Sequence, residues 1–331
     1  MKQSDRDKLL RLRSTFDRNY KITRLFADYL EGFPEIITKD MINALTEDGA
    51  IDKSEALSAI IAEIFGLDFS RSQDDRILIR DYISRSVRLL NKEKYEKNPY
   101  YQNIKLDNLK DGDWEIKWEE YAPYRAVICD DMIINSDYSE IPPLGFFEEV
   151  FRFPAVLEGG NEWMTLTPVD LDTCDEAIAE ARGRVVTFGL GLGYYAYMVS
   201  EKAEVESITV VEKSPDVIRL FEEHILPQFP NKEKVKVVMA DAFEYAEKIM
   251  PSERFDLAFV DTWRDASDGA PMYKQMKPYE SLSPDTKFLY WIENFLISRL
   301  RAERFEELWE RIELGVDIDY QTFVSMLDNI V

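Results

Sequence analysis

Residues 184–197, RVVTFGLGLGYYAY, decide the fold of this chain. An apolar, β-branched run leads into three glycines on alternate positions, Gly189, Gly191 and Gly193, and aromatic residues follow at once. A short apolar run bounded by glycine is typical of a buried strand. Glycine also allows a tight turn in which the backbone approaches a ligand closely. The stretch therefore predicts a strand that ends in a ligand-binding turn before a helix.

Strand and helix patterns alternate from residue 170 onward. The later strand-like runs are SITVVE, VKVVMAD, FDLAFVD and KFLYWIE, and segments with an amphipathic helical pattern separate them. One of these helices is expected to begin with Ser214 as its cap and Pro215 in its first turn. Alternation at this spacing predicts an α/β protein with a doubly wound, mainly parallel sheet.

Three segments divide the chain. Residues 1–112 show helical spacing of apolar residues and predict a helical N-terminal domain, apart from a polar linker near residues 96–113. Residues 113–168 contain short aromatic and β-branched runs, which predict a β-rich connecting segment with a hairpin turning at Gly159 and Gly160. Residues 169–331 form the predicted sheet domain.

Local signals place the ends of two helices. Asp52 or Ser54 is expected to cap the helix that contains SEALSAIIAEIF. Thr173 and Glu176 have the spacing of a capping box at the start of the helix before the glycine-rich strand. Both signals depend on a short side chain that accepts a hydrogen bond from a free backbone amide at the helix start.

Composition and charge exclude several classes of function. The net charge of −23 would repel a nucleic-acid backbone, and no basic patch is visible in the sequence. Two cysteines and one histidine are too few for a disulfide framework or a structural zinc site. No run is long and apolar enough for a membrane helix, and the N-terminus lacks a signal peptide. We expect a cytoplasmic protein that binds a small molecule, and a cationic one suits the charge.

Acidic residues end the strands that follow the glycines. Glu212 ends the second strand, Asp241 the third, and Asp261 the fourth, with Trp263 beside it. Because the carboxyl ends of parallel strands meet at one edge, these side chains are expected to share a crevice with the glycine turn. A carboxylate at the second strand end can accept both hydroxyl groups of a ribose, and one at the third can accept from an adenine amino group.

Residues 170–295 resemble a class I S-adenosylmethionine-dependent methyltransferase domain, a Rossmann-like fold. The resemblance rests on the motifs VVTFGLGLG, VVEKS, MADAF and FDLAFVD. It implies that the chain uses S-adenosylmethionine to methylate a small molecule, and we assign no residue to a metal. It also implies specific roles. The turn with Gly189, Gly191 and Gly193 would lie under the methionine part of the cofactor, and Glu212 would hold the ribose. Asp241 with Ala242 would hold the adenine, and Asp261 would face the methionine end and the substrate.

The sequence departs from that family in two places. Thr187 stands where many members have an acid that contacts the methionine amino group. The antiparallel hairpin that closes the family's sheet is hard to find after KFLYWIE. Either the sheet is shorter, or residues 114–167 contribute strands to it.

Four alternatives remain open. An aminopropyltransferase of the spermidine synthase type has a similar layout, with a β-hairpin ahead of the same domain and an acidic site. An NAD-binding oxidoreductase would use the G-x-G-x-x-A pattern that ends at Ala196. A non-catalytic binding protein would keep the fold alone. A metal-dependent subclass of the methyltransferases would bind a divalent cation with Asp261, Glu293 and Asn294.

The substrate end of the site is expected to include Asp261 and Trp263 as catalytic residues. Tyr194 and Tyr195, directly after the glycine turn, are candidates for its wall, where an aromatic ring could support a cation. Core packing is an equally good explanation for both tyrosines. The N-terminal region is a candidate for a lid, a substrate wall or the contact of a homodimer.

Overall fold

The computed structural model describes residues 2–106 and 109–330. Its α-helices, in chain order, are α1 (Gln3–Gly32), α2 (Lys39–Thr46), α3 (Lys53–Ile64), α4 (Gln73–Ile77), α5 (Ser84–Ser86), α6 (Lys92–Glu96), α7 (Pro99–Asn103), α8 (Pro168–Asp172), α9 (Asp175–Glu180), α10 (Tyr194–Ser200), α11 (Pro215–Leu220), α12 (Ala242–Lys248), α13 (Ala266–Met276), α14 (Glu293–Glu313) and α15 (Tyr320–Asp328). π-Helical segments follow α4 and α11 at Leu78–Ile83 and Phe221–Ile225.

The strands, in chain order, are β1 (Val87–Leu89), β2 (Leu109–Asp111), β3 (Trp114–Tyr121), β4 (Val127–Ile128), β5 (Ile133–Ile134), β6 (Glu140–Ile141), β7 (Leu144–Phe146), β8 (Phe151–Glu158), β9 (Asn161–Thr165), β10 (Gly183–Phe188), β11 (Val205–Glu212), β12 (Val235–Met239), β13 (Leu257–Val260) and β14 (Lys287–Tyr290). Among the described residues they form four sheets, ordered β1-β7-β4, β5-β6, β2-β3-β8-β9 and β12-β11-β10-β13-β14.

Internal contacts divide the chain into two units. One unit contains residues 2–92, 121–151 and 297–330, and the other contains residues 93–120 and 152–296. The boundaries predicted near residues 112 and 168 do not coincide with those of the units. The difference arises because residues 121–151 and 297–330 pack with the N-terminal helices. Local sequence patterns do not predict contacts between segments that are distant in the chain.

The first unit is mainly helical and has two apolar clusters. One cluster joins α1, α3, the π-helical turn and β7, with Phe26, Ile61 and Phe146 all buried. The other joins α1 to the C-terminal helices α14 and α15, where Phe16 stacks on Phe305 with ring centroids 4.0 Å apart. β1, which lies inside the segment predicted as helical, pairs in parallel with β7.

The second unit is built on the five-stranded sheet. All of its neighbouring strands are parallel, as the sequence predicted. The strand order reverses at β10, so the chain turns to opposite sides of the sheet from the strand that carries the glycines. Ligands of doubly wound sheets bind at this reversal, outside the carboxyl ends of the strands. The architecture is consistent with a Rossmann-like fold.

Among the described residues this sheet ends at β14, and it lacks the antiparallel hairpin that closes the sheet of the methyltransferase family. Of the two explanations given above, the shorter sheet is confirmed. The β-rich segment instead supplies β3, β8 and β9 to a separate sheet, in which β8 and β9 form the predicted hairpin around Gly159 and Gly160.

The helix-capping predictions had different outcomes. Asp52 caps α3: its carboxylate accepts from the amide of Glu55, whose own carboxylate accepts from the amide of Asp52. Ser214 accepts from the amide of Val217 at the start of α11, as predicted.

The capping box expected at Thr173 and Glu176 was wrong. The box lies one helix earlier, between Thr167 and Asp170 at the start of α8, and the hydroxyl group of Thr173 donates instead to the carbonyl of Val169. Pro168 at the first position of α8 fixes the backbone angle that a helix start needs, which explains the earlier start.

The segment predicted as a linker, residues 96–113, contains α7 and supports the glycine turn. Tyr100 is buried and its hydroxyl group donates to the carbonyl of Leu192 inside the turn. The side-chain amides of Asn98 and Asn103 donate to the hydroxyl groups of Tyr194 and Tyr197, at 3.0 and 2.8 Å. These contacts hold α10, and the turn before it, in one position.

Neither α1, the longest helix, nor any other helix of the described residues combines the length and the apolar character needed to cross a membrane.

Candidate functional site

A cavity of about 930 Å³ opens at the carboxyl ends of the parallel strands. It is lined by the residues that follow β10, β11, β12 and β13, and by residues of the β8–β9 hairpin and of α8. All of these belong to the second unit. Its position matches the strand reversal described above.

Two glycines of the turn line this cavity. Gly189 has φ of +96°, and a β-carbon there would lie 1.8 Å from the carbonyl oxygen of Asp261. Gly191 has φ of +52°, and its β-carbon would meet the thioether of Met164 at 2.5 Å. The first glycine lets β10 and β13 approach each other at their ends, and the second leaves space for Met164 beside the turn.

Gly193 has a different place. It caps α10 with φ of +74°, and a β-carbon there would lie 2.4 Å from the ring of Phe221. It is buried behind the turn and is not among the residues that line the cavity. Close packing between α10 and the π-helical segment therefore explains this glycine.

Glu212 lies at the end of β11 and is 8% exposed. One carboxylate oxygen accepts from the amide of Leu190 at 3.2 Å, and the other from the amide of Ser214 at 2.8 Å. These bonds tie the glycine turn to the second strand and fix the direction of the carboxylate. Since each carboxylate oxygen can accept more than one hydrogen bond, both remain able to bind hydroxyl groups of a ligand.

Asp241 and Ala242 lie where β12 passes into α12, and both line the cavity. The Oδ1 atom of Asp241 caps the helix by accepting from the amides of Phe243 and Glu244, at 2.9 and 3.1 Å. The Oδ2 atom takes part in neither bond and can accept from a ligand.

Asp261 is the most perturbed acid of the cavity. Burial, and then the negative charges of Asp170 and Glu212, raise its pKa from 3.8 to about 8. No donor among the described residues bonds to its carboxylate, which lines the cavity. Its carboxyl group therefore exchanges a proton close to neutral pH.

Trp263 lies beside Asp261 and is 6% exposed. Its ring lies nearly parallel to that of Tyr290, with centroids 6.4 Å apart, and it lines the cavity. Its indole N–H has no acceptor in the part of the chain that the structure describes. A buried donor without a partner is uncommon in a folded protein.

Sequence reasoning missed two residues at this end. Asp170 and Cys174 lie one helical turn apart and both line the cavity. Burial raises the pKa of Asp170 to about 6 and that of the Cys174 thiol well above its usual value. The T-P-V-D pattern at residues 167–170 has the spacing of a capping box and could have marked Asp170.

The cavity is strongly acidic. Its only bases among the described lining residues are Lys213 and Arg264, both exposed. The acids are Glu158, Glu162, Asp170, Glu212, Asp241, Asp261, Asp265 and Asp268. A cavity with this lining attracts cations and repels anions.

Tyr194 and Tyr195 both line the cavity and are both buried. Tyr194 accepts from Asn98, and the ring of Tyr195 packs on Phe259 with centroids 4.4 Å apart. Burial raises the pKa of both phenols, so both stay neutral. They contribute uncharged aromatic surface to the cavity lining.

Of the three groups suggested for a metal, only Asp261 lines the cavity. Glu293 accepts hydrogen bonds from Tyr273 and Lys277, at 2.7 and 3.3 Å, and lies outside the cavity lining, as does Asn294. Among the described residues, no cluster of three or more His, Cys, Asp or Glu side chains could hold a metal ion.

Comparison with known proteins gives only distant likenesses. No family model matches the chain, and no curated protein matches it. Similar solved structures include a spermidine synthase from Thermotoga maritima, 13% identical, with TM-score 0.33 over 62% of this chain and 74% of that one. A spermidine synthase in complex with the transition state analogue AdoDATO is 16% identical, with TM-score 0.31 over 46% of this chain and 60% of that one.

A third similar structure is a precorrin 8w decarboxylase from Methanobacterium thermoautotrophicum, 20% identical, with TM-score 0.28 over 44% of this chain and 71% of that one. At these TM-scores the likeness carries no argument about function. The argument for a function therefore depends on the cavity itself.

Proposed function

We propose that the protein is an S-adenosylmethionine-dependent methyltransferase that acts on a small, cationic molecule. One observation supports this most strongly: Glu212, Asp241 and Asp261, at three consecutive strand ends, line one cavity with the glycine turn. Each acid has a free acceptor position, and across the sheet the order Asp241, Glu212, Asp261 is the one that adenine, ribose and the reacting group would need.

The residues fit the cofactor by their donors and acceptors. Glu212 is fixed by two backbone amides and can accept from the two ribose hydroxyl groups. The Oδ2 atom of Asp241 can accept from an adenine amino group. Gly191 leaves room that any side chain would take from the cavity. Thr187, which stands where an acid was expected, is 3% exposed and lines the cavity, where its hydroxyl group can still bond a ligand.

When bound, the cofactor supplies a methyl group on a positively charged sulfur, a strong leaving group. A protonated acceptor would first give a proton to ionised Asp261, and its lone pair could then take this methyl group. The sulfur would keep the electron pair of the broken carbon–sulfur bond. Met164, Tyr195 and Trp263 surround this end with apolar surface, which limits water and favours the displacement of charge.

Aminopropyl transfer is a second candidate, supported by a specific observation. The β8–β9 hairpin supplies Glu158, Glu162 and Trp163 to the cavity wall, so a β-hairpin ahead of the sheet takes part in an acidic site. The same sulfonium chemistry would then act at a different carbon of a related cofactor. The acidic lining suits a polyamine as well as a small amine.

Ligand analysis tests these proposals directly. We expect mass spectrometry of the denatured, freshly purified protein to show S-adenosylmethionine or its demethylated product, and calorimetry to show binding of S-adenosylhomocysteine. A thioadenosine without either compound would favour aminopropyl transfer. Binding of NADH without binding of S-adenosylhomocysteine would overturn both proposals.

A further inference from the structure

We propose that Met164 is a gating residue between the part of the cavity near Glu212 and Asp241 and the part near Asp261. A ligand that spans both parts has to displace its side chain, whereas adenosine alone does not. Met164 thereby weakens the binding of the complete cofactor and of its product. This inference rests on the proposed transfer function and deepens it by naming the residue that sets the affinity for the chain beyond the ribose.

The order of the strands defines the path of such a ligand. Glu212 ends β11 and Asp261 ends β13, and β10 lies between these two strands. Both acids line the cavity, as do Gly189 and Gly191 of the turn that follows β10. A ligand that contacts both acids therefore has to pass over this turn. A ligand that contacts only Glu212 and Asp241 stays on the side of β11 and β12 and does not cross it.

The two glycines of the turn differ in what covers them. The β-carbon position of Gly189 is filled by the carbonyl oxygen of Asp261, at 1.8 Å, which belongs to the backbone and cannot move aside. The β-carbon position of Gly191 is filled by the Sδ and Cε atoms of Met164, both at 2.5 Å. These two atoms are in van der Waals contact with the turn, and they are the far end of a flexible side chain. Gly191 is therefore the point at which a ligand can reach the turn.

Met164 is suited to this movement. Methionine is unbranched, with three rotatable bonds, so its side chain can adopt several conformations. The residue is half-buried in β9, which among the described residues pairs only with β8. Two residues later the backbone is held, because the amide of Leu166 donates to the carbonyl of Pro154 at 3.0 Å and its carbonyl accepts from the hydroxyl group of Tyr101. We therefore expect the side chain, and not the hairpin, to make way for a ligand.

The group that is displaced resembles the group that displaces it. The cofactor carries a sulfur with a short aliphatic chain on its ribose, and the side chain of Met164 is a thioether on a short aliphatic chain. A ligand of this kind restores apolar contacts to the turn. Its observed affinity is still reduced by the fraction of molecules in which Met164 has moved aside. The product keeps the same chain after methyl transfer, so Met164 opposes its retention as well.

Calorimetry on the full-length protein compares adenosine with S-adenosylhomocysteine, which is adenosine extended by the chain that would cross the turn. We expect Met164→Ala to raise the affinity for S-adenosylhomocysteine about tenfold, and to leave the affinity for adenosine within about twofold. A tenfold gain corresponds to a wild type in which Met164 covers the turn in roughly nine molecules of ten. An unchanged or weaker affinity for S-adenosylhomocysteine in the variant would overturn the proposal, because Met164 would then be only a wall of the cavity.

Met272→Ala is the matched control. Met272 lines the same cavity from α13 and is half-buried like Met164, but it does not come within 4 Å of the β-carbon position of Gly191. We expect no gain in affinity for S-adenosylhomocysteine. A gain equal to that of Met164→Ala would show that any shortening of the lining has this effect, and the proposal would be wrong.

NMR of protein labelled at the methionine ε-methyl groups keeps the proposal testable if Met164→Ala fails to fold. Met164→Leu retains an apolar side chain and identifies the Met164 resonance by its loss. In the wild type this resonance should move with S-adenosylhomocysteine and stay close to its position with adenosine. A Met164 resonance that stays in place with bound S-adenosylhomocysteine would overturn the proposal.

Failure of the proposed function gives a different result. If S-adenosylhomocysteine binds neither to the wild type nor to Met164→Ala, both the cofactor and the gating role are overturned. Equal affinity of the two proteins for S-adenosylhomocysteine would overturn the gating role alone and leave the cofactor proposal standing.

Discussion

Replacement of Asp261 by asparagine should make the stability of the protein less dependent on pH. Burial, with the charges of Asp170 and Glu212, raises the pKa of this carboxyl group from 3.8 to about 8 in the folded protein. Between these values the folded state holds a proton that the unfolded state has released. The free energy of unfolding contributed by this group is therefore fully present below pH 3.8 and is lost as the pH rises through about 8.

The size of the effect follows from the pKa difference. Each pH unit between the two pKa values removes up to about 1.4 kcal/mol of stability. From about pH 5.5 to about pH 8 the upper limit is therefore roughly 3.4 kcal/mol. Because the carboxyl group faces a cavity that water can enter, we expect about half of this limit, on the order of 1.5–2 kcal/mol. Asparagine does not titrate, so the variant lacks this component.

Urea unfolding followed by tryptophan fluorescence measures the effect at about pH 5.5 and about pH 8. The quantity of interest is the change with pH of the difference in unfolding free energy between variant and wild type, because the titrating groups that do not interact with Asp261 then cancel. We expect the variant to gain on the wild type at the higher pH. A difference that stays constant within ~0.5 kcal/mol would refute the reasoning, because it would mean that Asp261 titrates normally in the folded protein.

Three further changes test the site. Gly189→Ala places a methyl group on the carbonyl oxygen at the end of β13 and should destabilise the protein by about 3 kcal/mol or more, measured by urea unfolding. Glu212→Gln should weaken S-adenosylhomocysteine binding in calorimetry about tenfold or more, because a charged acceptor is lost; unchanged affinity would remove Glu212 from the cofactor site. Tyr100→Phe leaves the carbonyl of Leu192 without its donor and should cost about 1–3 kcal/mol of stability, and a smaller loss would show that water replaces the hydroxyl group.

Local sequence patterns predict the five-stranded sheet and the residues at its strand ends. The apolar runs before Gly189, Glu212 and Asp261 each form one strand, because a parallel strand is buried on both faces and needs a continuous apolar run. The alternation of strands and helices then predicts their parallel pairing. The carboxyl ends of parallel strands meet at one edge, so the sequence also predicts that Glu212, Asp241 and Asp261 share a cavity, and the structure brings all three to one.

Local sequence patterns do not predict long-range packing. Residues 297–330 have an ordinary amphipathic helical pattern, which does not indicate that they pack on α1 rather than on the sheet. The segment around α7 looked like a linker because it is polar, although Asn98 followed by Pro99 is a helix-start signal. Asp170 was missed because α8 reaches the cavity only through tertiary packing, which its local capping pattern does not predict.

The joining of α1 to α14 and α15 has a consequence for synthesis of the protein. Arg13 bonds to Glu306, 293 residues later in the chain. At roughly 5–20 residues per second, a ribosome needs on the order of 15–60 s to pass from one to the other. During that interval the apolar face of α1, with Leu9, Leu12 and Phe16, has been made but lacks its partner. Until α14 and α15 are made, this face of α1 is open to other nascent segments and to chaperones.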